Sequence, residues 1–362
     1  MASPVLPGNA ELSLLEHSLG EICKEFPLIH PSELLHRLRT NGTASIEACG
    51  GAARWASVNT AIALSLHTKT ANRAFKELSG FAWSYFKNAY AAFSELVLQG
   101  REPETVKALV LMALFAGSSA DARTTSLLLS TALRLSQSLD SSLFGVSRGE
   151  SHNAVEAEDA RRTFWAAFVL DAELSLCCGL GSALGAGDME IDLPSEECLH
   201  DEDDKTCPSI FKRRAELALI HSAARTRLYS RDAFKMPESE LLSTVVTLDQ
   251  ALDDWRRNLP PELQPGIPGE ALEPHCVVLH LAFHNLTSMV HWAARRHRSW
   301  DASAAGRRLG EQSLSLTNLS RLKVRAAAQH TLRLLRQFPF EQFAQFWYEC
   351  PRHLTTLSTG SD

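Results

Sequence analysis

Residues 160–194 read ARRTFWAAFVLDAELSLCCGLGSALGAGDMEIDLP, and this stretch decides the fold class. Behind the pair Arg161–Arg162, the residues Phe164, Trp165, Phe168, Val169 and Leu176 keep close to helical spacing. The segment therefore opens as an amphipathic helix, with Arg161, Arg162 and Glu173 expected in solvent. Asp171 interrupts the apolar run, which argues against a membrane span. Gly179-Leu180-Gly181-Ser182 should end the helix, since glycine takes up the left-handed closing conformation without a Cβ clash. An acidic loop ending at Pro194 follows.

Helical periodicity recurs along the chain. Leu241, Val245, Leu248, Leu252, Trp255 and Leu259 form one apolar stripe, with Asp249, Asp253 and Arg257 off it. Pro237, Glu238 and Glu240 suit the first turn of that helix, and Pro260-Pro261 stops it. Further helices are predicted over 53–67, 72–98, 104–116, 123–138, 156–178, 208–233, 275–297 and 319–337. No run of β-branched and aromatic residues alternates with polar ones between turn signals. The predicted fold is all-α, a large multi-helix bundle.

Composition bounds the function. The 362 residues carry 45% hydrophobic and 22% charged residues, which suits one large globular domain or two smaller ones. A net charge of −6 has the wrong sign for gripping nucleic-acid phosphates over a broad face. The start of the chain has neither a basic opening nor a continuous apolar core, so no secretory signal is read, and no membrane association is expected. Eight cysteines stand at 23, 49, 177, 178, 198, 207, 276 and 350 without a C-x2-C pair. They read as small, buried apolar residues. Zinc-thiolate geometry dictates close cysteine spacing, so no zinc cluster is expected in this chain.

The segment 160–194 resembles the core motif of the fungal transcription-factor regulatory domain, the middle homology region of zinc-cluster transcription factors. That pattern has an Arg-Arg pair, an aromatic pair, an Asp closing the apolar turn, a Gly-containing loop and an acidic-Leu-Pro segment. Other segments are similar in the same order. Phe26-Pro27-Leu28-Ile29-His30-Pro31 resembles the family's opening turn, with Leu34-Leu35 where a Phe is usual. Residues 104–139 are similar to two antiparallel helices, though Leu139-Asp140-Ser141-Ser142 replaces a Gly-Leu-His-like turn. LDDWRRNLPPEL (252–263) resembles a Leu-x-x-Trp-x-x-x-Leu-Pro segment. HLAFHNLTSMVH (280–291) puts Phe283-His284 at an aromatic-His position, and RLKVRAAAQHTLRLL (321–335) resembles the next helix. In the first of these two the usual closing His-Arg-Pro is only His291-Trp292, so the helix is expected to continue through Arg295 and Arg296.

The resemblance implies a tail over 1–25, a regulatory domain over 26–338, and a short aromatic-rich helix and tail over 339–362. It implies a regulatory core, structural or effector-related, of Arg161, Arg162, Trp165, Asp171, Gly179, Trp255 and His284. In the purely structural version Arg162 and Asp171 fix the helix ends and the tryptophans fill the core. No cofactor is expected here, zinc belonging to the absent zinc-cluster domain. The implied role is regulation of transcription in the nucleus, over a metabolic or secondary-metabolite gene set. The implied partners are a zinc-cluster factor or co-regulator, a small-molecule effector and a second copy of the chain, with DNA contacted indirectly. A truncated gene for a full DNA-binding factor is the alternative.

Other chemistry fits these residues less well. His280, His284 and His291 share a helix face, but no glutamate follows His280 as a base and no third metal ligand is fixed. Asp201–Asp204 resembles the magnesium-binding run of helical terpene cyclases without the second ligand set, and reads as a solvated acidic loop. A metal-dependent helical enzyme is thus set aside. Arg295, Arg296 and Arg298, with Arg307 and Arg308, form a basic segment suited to phosphate or nuclear import, and Lys212-Arg213-Arg214 a smaller one.

Overall fold

The structure, a computed structural model, describes residues 9–41, 50–68, 75–119, 121–139, 154–185, 187, 191–196, 206–264, 272–297 and 311–337. Among them helices account for the regular structure and there is no strand, as the periodicity predicts. The helices are α1 (Asn9–Glu25), α2 (Pro31–Asn41), α3 (Ala52–Thr68), α4 (Phe75–Ala91), α5 (Phe93–Gln99) and α6 (Pro103–Ser118). They continue with α7 (Ala122–Ser138), α8 (Ala154–Cys178), α9 (Thr206–Tyr229), α10 (Glu238–Arg257), α11 (Pro274–Trp292) and α12 (Glu311–Gln337). The chain divides into two compact units, the boundary falling at 171/172 inside α8 and at 215/216 inside α9.

In the first unit α6 is the central helix. Its residues from Thr105 to Ala116 are all buried, which explains an apolar run without amphipathic alternation. Pro103 occupies its first turn, where a missing N–H costs nothing. Asp121 caps α7 by accepting from the Thr124 amide at 3.0 Å. Phe115 of α6 stacks on Phe86 of α4 with centroids 4.5 Å apart, and Trp83 meets the same ring edge-on at 5.3 Å. α3 packs against both α4 and α6.

Two helices escaped the sequence reading. The stretch 1–25, expected as a tail, holds α1, whose Leu15 and Leu19 are 4% and 0% exposed and which packs on α2 and α3. Pro31 then opens α2, burying Leu34, Leu35 and Leu38. Leu15, Leu19 and Ile22 of α1 and Leu34, Leu35 and Leu38 of α2 keep helical spacing, so both stripes were legible in the sequence by the same pattern as α10. The helix predicted over 72–98 is instead α4 and α5, parted at Ala92, whose amide bonds the Ala89 carbonyl at 3.1 Å. That tightened turn carries no glycine or proline to announce it.

In the second unit the predicted stripe of α10 is buried throughout, from Leu252 at 1% exposure to Trp255 at 6%. Each such side chain contributes about 1.5–3 kcal/mol by leaving water. α11 packs on α10 and α12. The helix runs on through Arg295 and Arg296 as expected, but past Trp292 it tightens from α into a 3-10 helix over Ala293–Arg296. Among the described residues no helix is long and apolar enough to cross a membrane. The aromatic segment 338–348, the tail beyond it and the acidic run 201–204 lie outside the described residues.

Candidate regulatory core

One turn into α8, Glu158 gathers three donors. Arg161 Nη1 lies 2.6 Å from its Oε2, Arg162 Nε 3.0 Å from its Oε1, and the Ser195 amide donates to Oε1 at 2.8 Å. The glutamate and Arg162 side chains are only 6% and 7% exposed. A buried carboxylate is tolerable only when its lone pairs are filled, and here two cations and a backbone N–H fill them. One turn further on, the Trp165 indole N–H donates to the Asp192 carbonyl at 2.8 Å. The acidic-Leu-Pro loop is thereby fastened to α8 at two points, with Pro194 buried between them. Phe164 and Phe168 stack beside Trp165, which meets Phe168 edge-on at 5.5 Å.

This corrects the amphipathic reading. Arg162 and Glu173 are 5% and 1% exposed rather than in solvent, and Arg161 is largely covered. Arg162 and Asp171 do not fix helix ends either: both lie inside α8, Asp171 at 1% exposure. Glu158 and its neighbour Asp159 were not singled out from the sequence, although Glu-x-x-Arg-Arg places one carboxylate at i−3 and i−4 from two arginines. Asp159 receives Lys107 of α6 at 2.6 Å. Burial alone would lower the Lys107 pKa, but Asp159, Glu104 and Glu33 outweigh it and hold the ammonium above its ordinary value.

Gly179 ends α8 with φ +67°, as its sequence position implies. Just beyond it the Leu180 carbonyl accepts from Arg225 Nε at 3.0 Å, and Arg225 also donates to the Tyr229 carbonyl. Trp255 stacks on Phe283 at 5.5 Å, Phe283 meets His284 at 5.2 Å, and His284 stacks on His330 of α12 at 5.1 Å. Of the seven core residues, Arg161, Arg162 and Trp165 meet around one loop, and Trp255 and His284 meet through Phe283. The first cluster belongs to the first unit, the second to the second.

The histidines are occupied rather than metal-facing. His280 Nε2 donates to the Leu263 carbonyl at 2.8 Å, and burial lowers its pKa. Burial, then the nearby charges of His330, His280 and Arg256, lower that of His284 to about 3. His291 lies between Asp249 Oδ1 at 2.9 Å and Ser320 Oγ at 3.1 Å. Lys323 also reaches Asp249, at 3.0 Å. Burial would raise the Asp249 pKa, yet His291 and Lys323 together hold it below the usual carboxylate range. Ser, His and Asp are here the tie between α11, α12 and α10, with Ser320 and His291 each 2% exposed and closed to a substrate. Among the described residues no group of three His, Cys, Asp or Glu is placed to hold a metal ion.

The small basic segment is not a free patch. Arg214 is 2% exposed, 3.8 Å from Glu25 and stacked over Phe26, while Lys212 and Arg213 both pair with Glu196. Arg295 is exposed over the Trp292 ring, and Arg296 is half-buried over Phe234 at 4.5 Å. Arg298, Arg307 and Arg308 lie outside the described residues. The cysteines vary: Cys276 is buried, Cys178 is exposed, and Cys23 donates to the Ile29 carbonyl, burial pushing its thiol up to about 12.

Residues 26–257 match the fungal specific transcription factor domain. The chain is 28% identical to an ABC-transporter-regulating transcription factor of Aspergillus fumigatus, over 95% of its own length and 40% of the relative's. It is 29% identical to a protein so named in Aspergillus oryzae, with the same coverage. It is 24% identical to the fusaridione A cluster transcription factor of Fusarium heterosporum, over 71% of the chain and 51% of that protein. The chain thus spans about 40% of the length of the Aspergillus relatives. No solved structure matches it. A domain match over more than half of the chain makes it a member of the fungal specific transcription factor domain family, a family of transcription regulators and not of enzymes.

Proposed function

We propose that this chain is the regulatory domain of a nuclear transcription regulator that controls a metabolic, export or secondary-metabolite gene set and meets DNA through a zinc-cluster factor. The observation that carries this reading is similarity along 95% of the chain to transcription factors named for regulating ABC transporters. Arg161, Arg162 and Trp165 are the regulatory element: through Glu158 and Asp192 they hold the loop at 192–195 on α8. Asp171 is buried within α8, Gly179 closes that helix, and Trp255 and His284 join α10 to α11 through Phe283 within the second unit. An effector that binds one packing of these helices more tightly shifts the population toward it, by no more than its difference in affinity.

The test is a tagged pull-down from nuclear extract, with chromatin occupancy read in the same cells. Recovery of a zinc-cluster factor, and loss of occupancy when that factor is deleted, is the expected result. A protein found only in the cytosol, without such a partner, would overturn the reading.

A further inference from the structure

A half-open cleft of about 120 Å³ lies in the first unit, walled on two sides by helix faces. Arg54, Ser57, Val58 and Ala61 present one face of α3, at the i, i+3, i+4 and i+7 positions. Glu104, Lys107 and Leu111 present one face of α6, and the turn from Leu28 to Leu34 closes the third side. An apolar cavity of about 150 Å³ takes up benzene, so this one has room for about five carbon atoms below a carboxylate left at the open mouth.

The polar groups of the cleft divide into those already used and those not. Lys107 is committed, 2.6 Å from Asp159 and 3.8 Å from Glu104. Arg54 is exposed at the mouth and makes no ion pair among the described residues. Ser57 is 9% exposed, and its buried hydroxyl has no hydrogen-bond partner among the described residues. That is unusual on this helix, where the Thr60 and Ser65 hydroxyls bond back to the carbonyls of Ala56 and Ala61 at 2.8 and 2.9 Å. A buried hydroxyl without a partner is costly, and rotation about the Ser57 Cα–Cβ bond is what would bring it from the wall into the cleft, so its retention there points to a ligand that supplies a hydrogen-bond partner.

The two unused groups can both donate, one of them as a cation, and they stand one helical turn apart. A carboxylate satisfies both at once. The surfaces below are apolar: Leu28 is 1% exposed, Leu111 0% and Val58 8%. Glu33 and Glu104 line the same cleft and oppose any anion there, so it takes at most one negative charge, held against Arg54, and repels a second. We propose that this cleft is a binding site for a small monocarboxylate, its carboxylate on Arg54 and the Ser57 hydroxyl and its short apolar body on Val58 and Leu111. Its service as the domain's effector site rests on the regulatory reading above; the binding itself does not.

Isovalerate is the probe, with isovaleramide as neutral isostere and methylsuccinate as dicarboxylate, added to the whole chain in titration calorimetry and thermal melts. Saturable binding of isovalerate is expected, weaker by about ten- to a hundredfold in Arg54→Met and in Ser57→Ala, as loss of a charge-assisted hydrogen bond implies. Isovaleramide and methylsuccinate should bind far more weakly. Ser57→Ala loses no internal hydrogen bond, so it should melt at or above the wild-type temperature and report on binding alone. Absence of saturable isovalerate binding, or undiminished wild-type affinity in either variant, overturns the site. Binding that those variants abolish, without any isovalerate-dependent change in reporter transcription, removes the effector role while the site stands.

Discussion

Replacing Glu158 tests whether the loop at 192–195 is held by that carboxylate. Glu158→Ala removes the acceptor for Arg161, Arg162 and the Ser195 amide together. Three charge-assisted hydrogen bonds at about 1.5–3 kcal/mol each set a ceiling that is not reached, because the freed arginines partly rehydrate. Arg162, 5% exposed, is the group that cannot do so readily. Breaking one partner from a buried ion pair costs about 3–5 kcal/mol, and that is the expected loss. Glu158→Gln keeps an acceptor for the Ser195 amide but gives up the charge, for about half that cost on the same scale. The assay is urea denaturation of the two variants, of Arg162→Met and of the Glu158→Ala/Arg162→Met double. A coupling of at least about 2 kcal/mol is expected between the two sites. Hydrogen exchange at the Ser195 amide should accelerate in the alanine variant and much less in the glutamine one. Lys212→Ala, which breaks an exposed pair with Glu196, is the control and should cost under about 1 kcal/mol. A loss below about 1 kcal/mol in Glu158→Ala, or strict additivity with Arg162→Met, would refute the reasoning.

The remaining expectations are narrower. Trp165→Phe keeps most of the ring but loses the hydrogen bond to the Asp192 carbonyl; a loss of about 1–2 kcal/mol in a denaturant melt is expected, and no change would mean the bond adds nothing net. Gly179→Ala should cost about 1–2 kcal/mol through the backbone alone, because φ is +67° and a Cβ there meets nothing within 4 Å. His284, held at about 3, stays neutral in the fold while the unfolded chain takes up a proton below pH 6.5. Stability is therefore full above that pH and declines as pH falls toward 3, by up to about 1.4 kcal/mol per pH unit for this one group. His67 and His280 are shifted the same way and add to it. Urea midpoints from pH 7.5 to 5 should fall, and fall less steeply in His284→Gln; equal slopes would remove His284 as a source. Lys107→Met leaves Asp159 without its cation and should lower stability by about 2 kcal/mol at neutral pH, checked by the same melts.

Helix type and order were legible because they depend on local spacing. The stripe from Leu241 to Leu259 and the glycine at 179 need nothing beyond their own segments to be read, and both stand in the structure as the spacing implies. The motif residues Arg161, Arg162 and Trp165 were legible as a pattern, but their burial was not. An arginine in a sequence window looks solvated until a carboxylate one turn back and a loop about thirty residues on close over it. Glu158 did carry a local signal, in the arginines three and four residues on, but nothing in a window marks Lys107 as paired with a distant helix or the Ser57 hydroxyl as lacking its helical carbonyl.

The sequence by itself determined an all-α chain, the places where most helices begin and end, and membership of a family, since periodicity, helix-stopping residues and motif order are properties of the chain in one dimension. Tertiary structure alone decided which charges are buried. It made His291 a tie between helices rather than a metal ligand or catalytic base, and it left Arg54 and Ser57 unspent beside a cleft. Those outcomes depend on which groups from distant segments displace water from one another, and desolvation is a property of the packed assembly that no single segment carries.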